Sequence, residues 1–321
     1  MLTLSVISPV YNGENHIVAF LEGVAAQTWR DFEFITVDDG STDRTAQLIE
    51  AYLPRLGRRA TFIRHEKNMG EGAAIATAFS KVTGDICLKM DSDSLIEPDT
   101  FAKIMESFAA DEQVGIVTVL FVPMERSNWV LRAAEVTWVA QRKNDVEHAQ
   151  DFSFGSGACL AFRRPIFSIE DLASRTDVDL GWMARKNGWK IVLREDLTIR
   201  TRFPATLSQT FSRGRRTARH AVLTYWHHKD KLLTRWGFWV KFTPLGLALT
   251  ALFKPVWALA GLLGWLGALQ IYLARRTPEY PFTDRLSAWV LAVVRWVGFD
   301  IGVVLMAAQA VVNRLTSGRR S

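Results

Sequence analysis

Three clusters of acidic side chains carry residue types suited to metal and nucleotide chemistry. They are Asp38-Asp39, Asp91-Ser92-Asp93 and Asp177-Val178-Asp179. Carboxylate oxygens are the ligands that Mg²⁺ and Mn²⁺ prefer, and one or two of them leave coordination positions open for phosphate oxygens. Carboxylates also accept hydrogen bonds from a nucleobase N–H and from ribose hydroxyls. Taken alone, each cluster also fits the start of a helix, where Asp and Ser are common and acids suit the helix dipole.

Short apolar runs lead into the first two clusters. We predict strands at 4–9, 32–37, 60–65, 85–90 and 114–122, with helices near 15–27, 42–56 and 72–82 between the first four. This alternation indicates parallel βαβ units in an α/β fold, with a mostly parallel sheet covered on both faces. Such sheets bind ligands at the carboxyl ends of their strands. We therefore expect Tyr11-Asn12, Asp38-Asp39 and Asp91-Ser92-Asp93 to meet at one edge.

Charge is distributed unevenly along the 321 residues, whose net charge is +6. Residues 1–199 hold 21 Lys/Arg against 29 Asp/Glu, whereas residues 200–321 hold 18 against 4. Many of the later cations flank apolar stretches, which favours an anionic membrane surface as the partner and argues against nucleic acid. The two cysteines, Cys87 and Cys159, lie in apolar runs and are expected to be buried free thiols in a reducing compartment.

The last third of the chain is expected to be interfacial and membrane-embedded. An amphipathic segment carrying Arg213, Arg215, Arg216 and Arg219 precedes an uninterrupted apolar run at 255–274, which is long enough to span a bilayer. Two further stretches, 237–253 and 286–312, contain charged residues, so the number of spans stays between one and three. Basic residues on both remaining loops leave the topology open. We expect a membrane protein whose N-terminal domain faces the cytoplasm.

The order and spacing of several motifs resemble those of the family 2 glycosyltransferases. The motifs are Val6-Ile7-Ser8-Pro9-Val10-Tyr11-Asn12, Val37-Asp38-Asp39-Gly40-Ser41-Thr42-Asp43, Asn68-Met69-Gly70, Gly84-Asp85 and Asp91-Ser92-Asp93. The resemblance implies a nucleotide-sugar-binding domain of the GT-A fold and an inverting reaction. It predicts a glycosyltransferase domain at 1–220 and a helical membrane region at 221–321, as in the membrane-attached members of the family.

The same resemblance assigns roles to individual residues of the donor site. It implies that Asp39 contacts the nucleobase and that Asp38 shapes a nucleoside pocket lined by Pro9, Tyr11 and Glu14. Asp91 is expected beside the ribose or the metal, and Asp93 is expected to ligate Mg²⁺ or Mn²⁺. The cation would neutralise the nucleoside diphosphate as it leaves.

The acceptor side is implied less completely. Asp177 takes the position of the catalytic base, but Thr176 replaces the usual Glu, and Asp179 stays an alternative base. The resemblance places Gly157, Gln209, Arg213 and Arg216 near the acceptor or the diphosphate. The Trp that normally ends the Gln-Arg motif is missing, so a basic stripe facing lipid or solvent is an equal reading of these arginines.

We therefore expect transfer of sugar from a UDP- or GDP-sugar to a hydroxyl acceptor that is lipid-linked, a glycan, or close to the membrane. Two alternatives stay open. One is a transferase whose acceptor is a polyprenyl phosphate and needs little help from a base. The other is a non-catalytic nucleotide-sugar-binding scaffold, which would have no use for Asp177.

Overall fold

The computed structural model describes residues 2–57, 59–147, 158–174, 177–227 and 255–317. The strands are β1 (Leu4–Val10), β2 (Phe32–Asp38), β3 (Ala60–Arg64), β4 (Ile86–Met90), β5 (Val114–Pro123), β6 (Cys159–Arg163) and β7 (Lys190–Thr201). The helices are α1 (Ile17–Ala25), α2 (Thr45–Tyr52), α3 (Glu71–Phe79), α4 (Thr100–Ala110), α5 (Trp129–Glu147), α6 (Ile169–Ser174), α7 (Asp177–Lys186), α8 (Leu207–His227), α9 (Pro255–Arg276) and α10 (Phe282–Ser317). Short 3₁₀ turns follow α2 and β6.

The strands form one seven-stranded sheet in the order β3-β2-β1-β4-β6-β5-β7. All of its strands run parallel except β6, which is antiparallel to both β4 and β5. The predicted mostly parallel α/β sheet is therefore confirmed. The chain adds β2 and β3 on one side of β1 and then returns to place β4 on the other side, so a topological switch lies between β1 and β4.

Burial on both faces explains the apolar character of the central strands. Every residue of β1 and β4 is buried. One face is covered by α3 and α7, which contribute Ala78 and Leu180 to a core shared with Phe162 of β6. On the other face, Phe20 of α1 packs against Phe34 of β2 with ring centroids 6.2 Å apart. Burial of each such side chain contributes roughly 1.5–3 kcal/mol, which keeps the sheet edge in place.

Contacts divide the chain into two compact units. The first comprises residues 1–124 and 141–202 and contains the sheet, and the second comprises residues 125–140 and 203–321. The division into domains at 1–220 and 221–321 stays a prediction.

The second unit contains a close helix crossing between α8 and α10. A Cβ added to Gly214 of α8 would lie 2.2 Å from the carbonyl oxygen of Arg295, and one added to Gly298 of α10 would lie 2.4 Å from that of Phe211. Gly302, one turn after Gly298, similarly approaches the backbone of Arg215. Glycine thus allows the two backbones to meet, as small residues do at other close helix crossings.

The start of α5 packs against the α9–α10 hairpin within the same unit. The Tyr272 hydroxyl donates to the Ala140 carbonyl (3.0 Å), and the Tyr280 hydroxyl donates to Glu135 Oε1 (2.7 Å). Glu135 is buried and also pairs with Arg126. These polar contacts surround a small apolar core from α5, α9 and α10.

Of the helices in the described ranges, one is long and apolar enough to cross a membrane, at Phe282–Val303 in α10. The predicted run at 255–274 forms α9, whose Leu263 and Ile271 are exposed. The predicted stretch at 237–253 lies outside the described residues. Within α10, Asp300 is buried, and the Arg295 guanidinium lies 5.6 Å from the Trp138 ring, so neither side chain projects freely from the helix.

Candidate active site

The loops after β1 and β2 are joined by hydrogen bonds at the carboxyl edge of the sheet. Asn12, in the left-handed region at φ 50°, donates from its N–H to Ser41 Oγ (2.8 Å) and accepts from Thr42 N–H (2.9 Å). The Gly13 N–H donates to Thr45 Oγ1 (2.7 Å). The two predicted motifs are therefore brought together as one structural element.

Three of the predicted pocket residues lie around this junction. Glu14 accepts hydrogen bonds from the backbone and side chain of Arg44 (3.2 and 3.3 Å), so its carboxylate is engaged across the two loops. Pro9 is buried inside β1. Tyr11, which follows β1 directly, has 48% of its surface exposed. Tyr11 is thus one of the exposed large hydrophobic side chains of the chain.

Asp39 anchors the loop after β3. Its carboxylate accepts from the Met69 N–H (2.9 Å) and the Gly70 N–H (2.8 Å), and its Oδ1 lies 2.7 Å from His65 Nδ1. Burial raises the pKa of this carboxyl, but the hydrogen bonds from His65, Met69 and Gly70 outweigh burial and lower the pKa below its ordinary value. Asp39 is thus an ionised group with 3% of its side chain exposed, and its Oδ2 has a second lone pair besides the one that accepts from Gly70.

Asp38 and Gly40 complete the turn. The buried Asp38 carboxylate accepts from the Ser41 N–H (3.1 Å) and lies 3.2 Å from Arg64 Nε. Gly40 has φ +70°, and a Cβ added to it would lie 2.5 Å from the Lys67 carbonyl carbon. Glycine is required at this position because both the backbone angle and the neighbouring loop exclude a side chain.

Asp91 follows β4 and is held from two sides. Its backbone N–H donates to the Ala158 carbonyl (3.0 Å), which fixes the main chain against the residue preceding β6. Its Oδ1 pairs with Lys89 Nζ, and the same ammonium donates to Glu71 Oε1 (3.0 Å) at the start of α3. The Asp91 side chain keeps 36% of its surface exposed, although its Oδ1 is paired with the buried Lys89.

Asp93 lies two residues further on and is half-buried. It accepts a long hydrogen bond from the Thr201 hydroxyl (3.3 Å) at the end of β7. The imidazole of His16 lies in the electrostatic field of Asp93 and Arg202. Burial is the largest cause that lowers the pKa of His16, and the Arg202 charge lowers it further against the opposing charges of Asp93 and Asp43.

The donor set at this edge fits a divalent cation that is shared with a ligand. Within the described ranges, no group of three His, Cys, Asp or Glu side chains is arranged to hold a metal ion. Asp91 and Asp93 would offer a cation two carboxylates from one loop. Mg²⁺ and Mn²⁺ commonly take one or two carboxylates together with substrate phosphates, so two are sufficient.

The third acidic cluster begins α7. Asp177 is the first residue of that helix and is half-exposed, whereas Asp179 has 1% of its surface exposed. Both carboxylates have interactions within the protein. Asp177 is therefore the more accessible of the two carboxylates.

The remaining acceptor-side residues are engaged or lie outside the described part. The Gln209 side chain accepts from the Ala205 N–H (2.8 Å), and its own N–H donates to Thr206 Oγ1 (3.2 Å), an arrangement related to the capping box at a helix start. The Arg213 guanidinium lies 5.5 Å from the Trp138 ring. Gly157 and the side chain of Arg216 fall outside the described residues.

One motif of the predicted set lies away from this edge. The Asp85 carboxylate accepts from both the backbone N–H and the hydroxyl of Thr3 (2.9 Å each), at the amino ends of β4 and β1. Gly84 packs against Ser5, where a Cβ would lie 2.6 Å from the hydroxyl oxygen. This pair joins two strands and has no part in the candidate site.

Comparison with known proteins agrees with this geometry. Residues 5–169 match the family model described as glycosyl transferase family 2. The chain belongs to this family. The fold is also that of a Pyrobaculum calidifontis mannosyltransferase solved with GDP-Man and Mn²⁺, at TM-score 0.59 and 19% identity, over 94% of this chain and 87% of that one.

Two curated relatives of this glycosyltransferase share the same name, undecaprenyl-phosphate 4-deoxy-4-formamido-L-arabinose transferase. The one from Edwardsiella ictaluri is 29% identical over 41% of this chain and 40% of its own length. The one from Serratia proteamaculans is 29% identical over 51% of this chain and 49% of its own length. The chain thus matches half or less of these relatives.

Sequence reasoning missed three ionisable groups near the predicted carboxylates, namely Lys89, Glu71 and His16. A signal existed for Lys89, since a lysine inside a buried strand requires a partner, and an acid, Asp91, stands two residues along, just after the strand ends. Nothing in the pattern around His16 indicated its place near Asp93.

Proposed function

We propose that the glycosyltransferase transfers a sugar from a nucleoside-diphosphate sugar, with the donor bound at the carboxyl ends of β1, β2 and β4. The observation that carries the proposal is the convergence of Tyr11, Asp39, Asp91 and Asp93 on this edge, next to the topological switch. Open α/β sheets bind nucleotides at such a position.

Each residue has a role suited to its environment. The exposed Tyr11 ring would stack on the nucleobase, and the remaining acceptor position of Asp39 would receive a base N–H. Asp91 would lie by the ribose or the metal, and Asp93 would hold Mg²⁺ or Mn²⁺. The bound cation would offset the charge that develops on the departing diphosphate.

On the acceptor side, Asp177 would remove the proton of an attacking hydroxyl, and the displacement would invert the anomeric centre. Its half-exposed position at the start of α7 supports it over the buried Asp179. The acceptor would be lipid-linked or a glycan near the membrane, because α9 and α10 expose apolar side chains such as Leu263, Ile271 and Leu305. The catalytic unit would face the cytoplasm.

A second candidate acceptor is a polyprenyl phosphate, which the names of the two curated relatives favour. A phosphate oxygen is already anionic near neutral pH and needs no base. The two acceptor classes therefore differ in their demand on Asp177.

The experiment measures nucleoside diphosphate release from a panel of UDP- and GDP-sugars with Mn²⁺, with either a lipid-linked sugar or a polyprenyl phosphate as acceptor. We expect Asp177→Asn to lower transfer to a hydroxyl about 100-fold or more. Glu170→Gln, an exposed acid on the neighbouring α6, is the matched control.

Near-normal turnover of Asp177→Asn with polyprenyl phosphate alone would move the assignment to the second candidate. Binding of nucleotide sugars without diphosphate release from any donor would contradict both. A thermal-shift panel of the same nucleotides with and without Mn²⁺ checks donor binding independently, because a bound ligand raises the apparent stability.

A further inference from the structure

Lys89 is a buried cation beneath the candidate metal-binding loop. Only 7% of its side chain is exposed, and its Nζ contacts the Asp91 carboxylate and Glu71 Oε1. Glu71, in contrast, has 66% of its side chain exposed. The lysine thus reaches from inside the sheet toward two carboxylates that border solvent.

The burial of Lys89 requires these partners. An ammonium taken out of water without a compensating charge is costly, so buried lysines are almost always paired or neutral. Both of the carboxylates named above form ion pairs with Lys89 Nζ, those of Asp91 and Glu71. The lysine therefore places a positive charge against one member of the Asp91-Ser92-Asp93 triplet.

The geometry fixes Asp91 at both ends. Lys89 lies in β4 and Asp91 is the first residue after it, and their side chains meet in an ion pair. The Asp91 main chain is held by the Ala158 carbonyl, and its Oδ1 is held by the ammonium. These two contacts restrict the orientation of the Asp91 side chain, and its second oxygen, Oδ2, is left to bind a ligand.

The same contact sets the charge of the site. Asp91, Asp93 and Glu71 bring three negative charges to this edge. A divalent cation favours such an environment, but the diphosphate of a donor is repelled by it. Lys89 offsets one of the three charges without occupying space at the surface.

We propose that Lys89 is a positioning residue of the donor site, which holds the Asp91 carboxylate in one orientation and balances the negative charge that the cation and the diphosphate meet. This inference rests on the proposed function, because it presumes a nucleoside-diphosphate donor and a divalent cation at Asp91 and Asp93.

The test compares Mn²⁺ binding with turnover. Mn²⁺ is titrated into the full chain and followed by electron paramagnetic resonance of the free ion, in the presence of a saturating nucleoside diphosphate. Lys89→Met removes the positive charge and keeps most of the apolar volume. We expect it to bind Mn²⁺ about three- to tenfold more tightly, and to lower kcat about tenfold at saturating donor because Asp91 loses its fixed orientation.

Two further variants make the sign decisive. Glu71→Gln removes one of the negative charges at this edge and one carboxylate that contacts Lys89 Nζ, so Mn²⁺ binding should weaken about two- to threefold. Lys103→Met removes an ammonium on α4 that pairs with Asp99, and it should leave both the Mn²⁺ affinity and kcat unchanged. If Lys89→Met does not fold, the sign of the Glu71→Gln effect still tests the charge argument.

A role in packing alone would lower the stability of Lys89→Met but leave its Mn²⁺ affinity at the wild-type value, and that result overturns the proposal. So would an undiminished effect of Lys89→Met on Mn²⁺ binding in an Asp91→Asn background, because the action would not pass through Asp91. Failure of the wild-type chain to bind Mn²⁺ with any nucleotide would overturn the proposed metal site, and this inference with it.

Discussion

Gly40→Ala is expected to destabilise the protein at the turn that carries Asp38 and Asp39. Two costs add at this position. A non-glycine residue in the left-handed region costs about 1–2 kcal/mol. The new Cβ would also lie 2.5 Å from the Lys67 carbonyl carbon and 2.7 Å from the Asn68 nitrogen, both backbone atoms that cannot rotate away.

Overlap of this kind costs typically about 1–3 kcal/mol, so we expect Gly40→Ala to lower the free energy of unfolding by about 2–5 kcal/mol. The matched control is Gly188→Ala. Gly188 follows α7 with φ +86° and has no atom within 4 Å of an added Cβ. It should therefore show only the conformational cost of about 1–2 kcal/mol.

The assay is urea unfolding of both variants and the parent chain in one detergent, followed by tryptophan fluorescence. The difference between the two variants isolates the clash with the loop at 67–68. Equal losses, within about 0.5 kcal/mol, would refute the close approach of that loop to the turn. Gly40→Ala should also weaken nucleotide binding, because any relief of the clash moves the loop whose N–H groups hold Asp39.

Two other predictions follow from single contacts. Gly214→Ala should destabilise the second unit by about 1–3 kcal/mol, because the added Cβ meets the Arg295 carbonyl oxygen, whereas Gly264→Ala on α9, where nothing lies within 4 Å, should be neutral or stabilising; thermal melts of the two variants check the contrast. Asp39→Asn should flatten the acid limb of stability against pH. Because the pKa of Asp39 is lowered from 3.8 in the folded protein, its contribution is present above that value and is lost as the pH falls through the lower folded value. Urea midpoints of both proteins from about pH 5 to pH 2 test this, and parallel curves would contradict it.

The regular part of the sheet was predictable because burial leaves a simple signature. Strands covered on both faces are continuous apolar runs, and β1, β2 and β4 were placed within one or two residues of their observed bounds. The convergence of their loops followed from the parallel topology. Helix ends were less accurate: the predicted helix at 42–56 is α2 followed by a 3₁₀ turn, in which Pro54 interrupts the backbone hydrogen bonds.

Two strands had no such signature. The antiparallel β6 is five residues long, and its place between β4 and β5 depends on long-range pairing, which local patterns do not encode. The outermost strand β7 carries Arg194, Glu195 and Asp196 in its middle. An edge strand has one side open to water, so it tolerates charges that a central strand would exclude. The register of β5 against β7 also shifts between Val119 and Leu120.

Gln209 of the candidate site is held by a local pattern at the start of α8. The Thr206-Leu207-Ser208-Gln209 segment has the spacing of a capping box, and the observed hydrogen bonds of Gln209 follow from it. A local rule was therefore available for a residue that the resemblance placed at the acceptor. A role of Gln209 in transfer would require it to release the Ala205 N–H, at the cost of that hydrogen bond.

Lys89 is a second residue whose partner follows from a local rule. In the run Ile86-Cys87-Leu88-Lys89-Met90, all side chains except that of Lys89 are apolar, and every position is buried. A charge in the middle of a covered sheet costs several kcal/mol unless it is paired. Strand periodicity allows a partner two residues along the same face, and the next such position after Lys89 is Asp91. The lysine that breaks the apolar pattern therefore identifies Asp91 as the carboxylate of the triplet that is paired from inside the sheet. Asp93 has no strand lysine two residues before it.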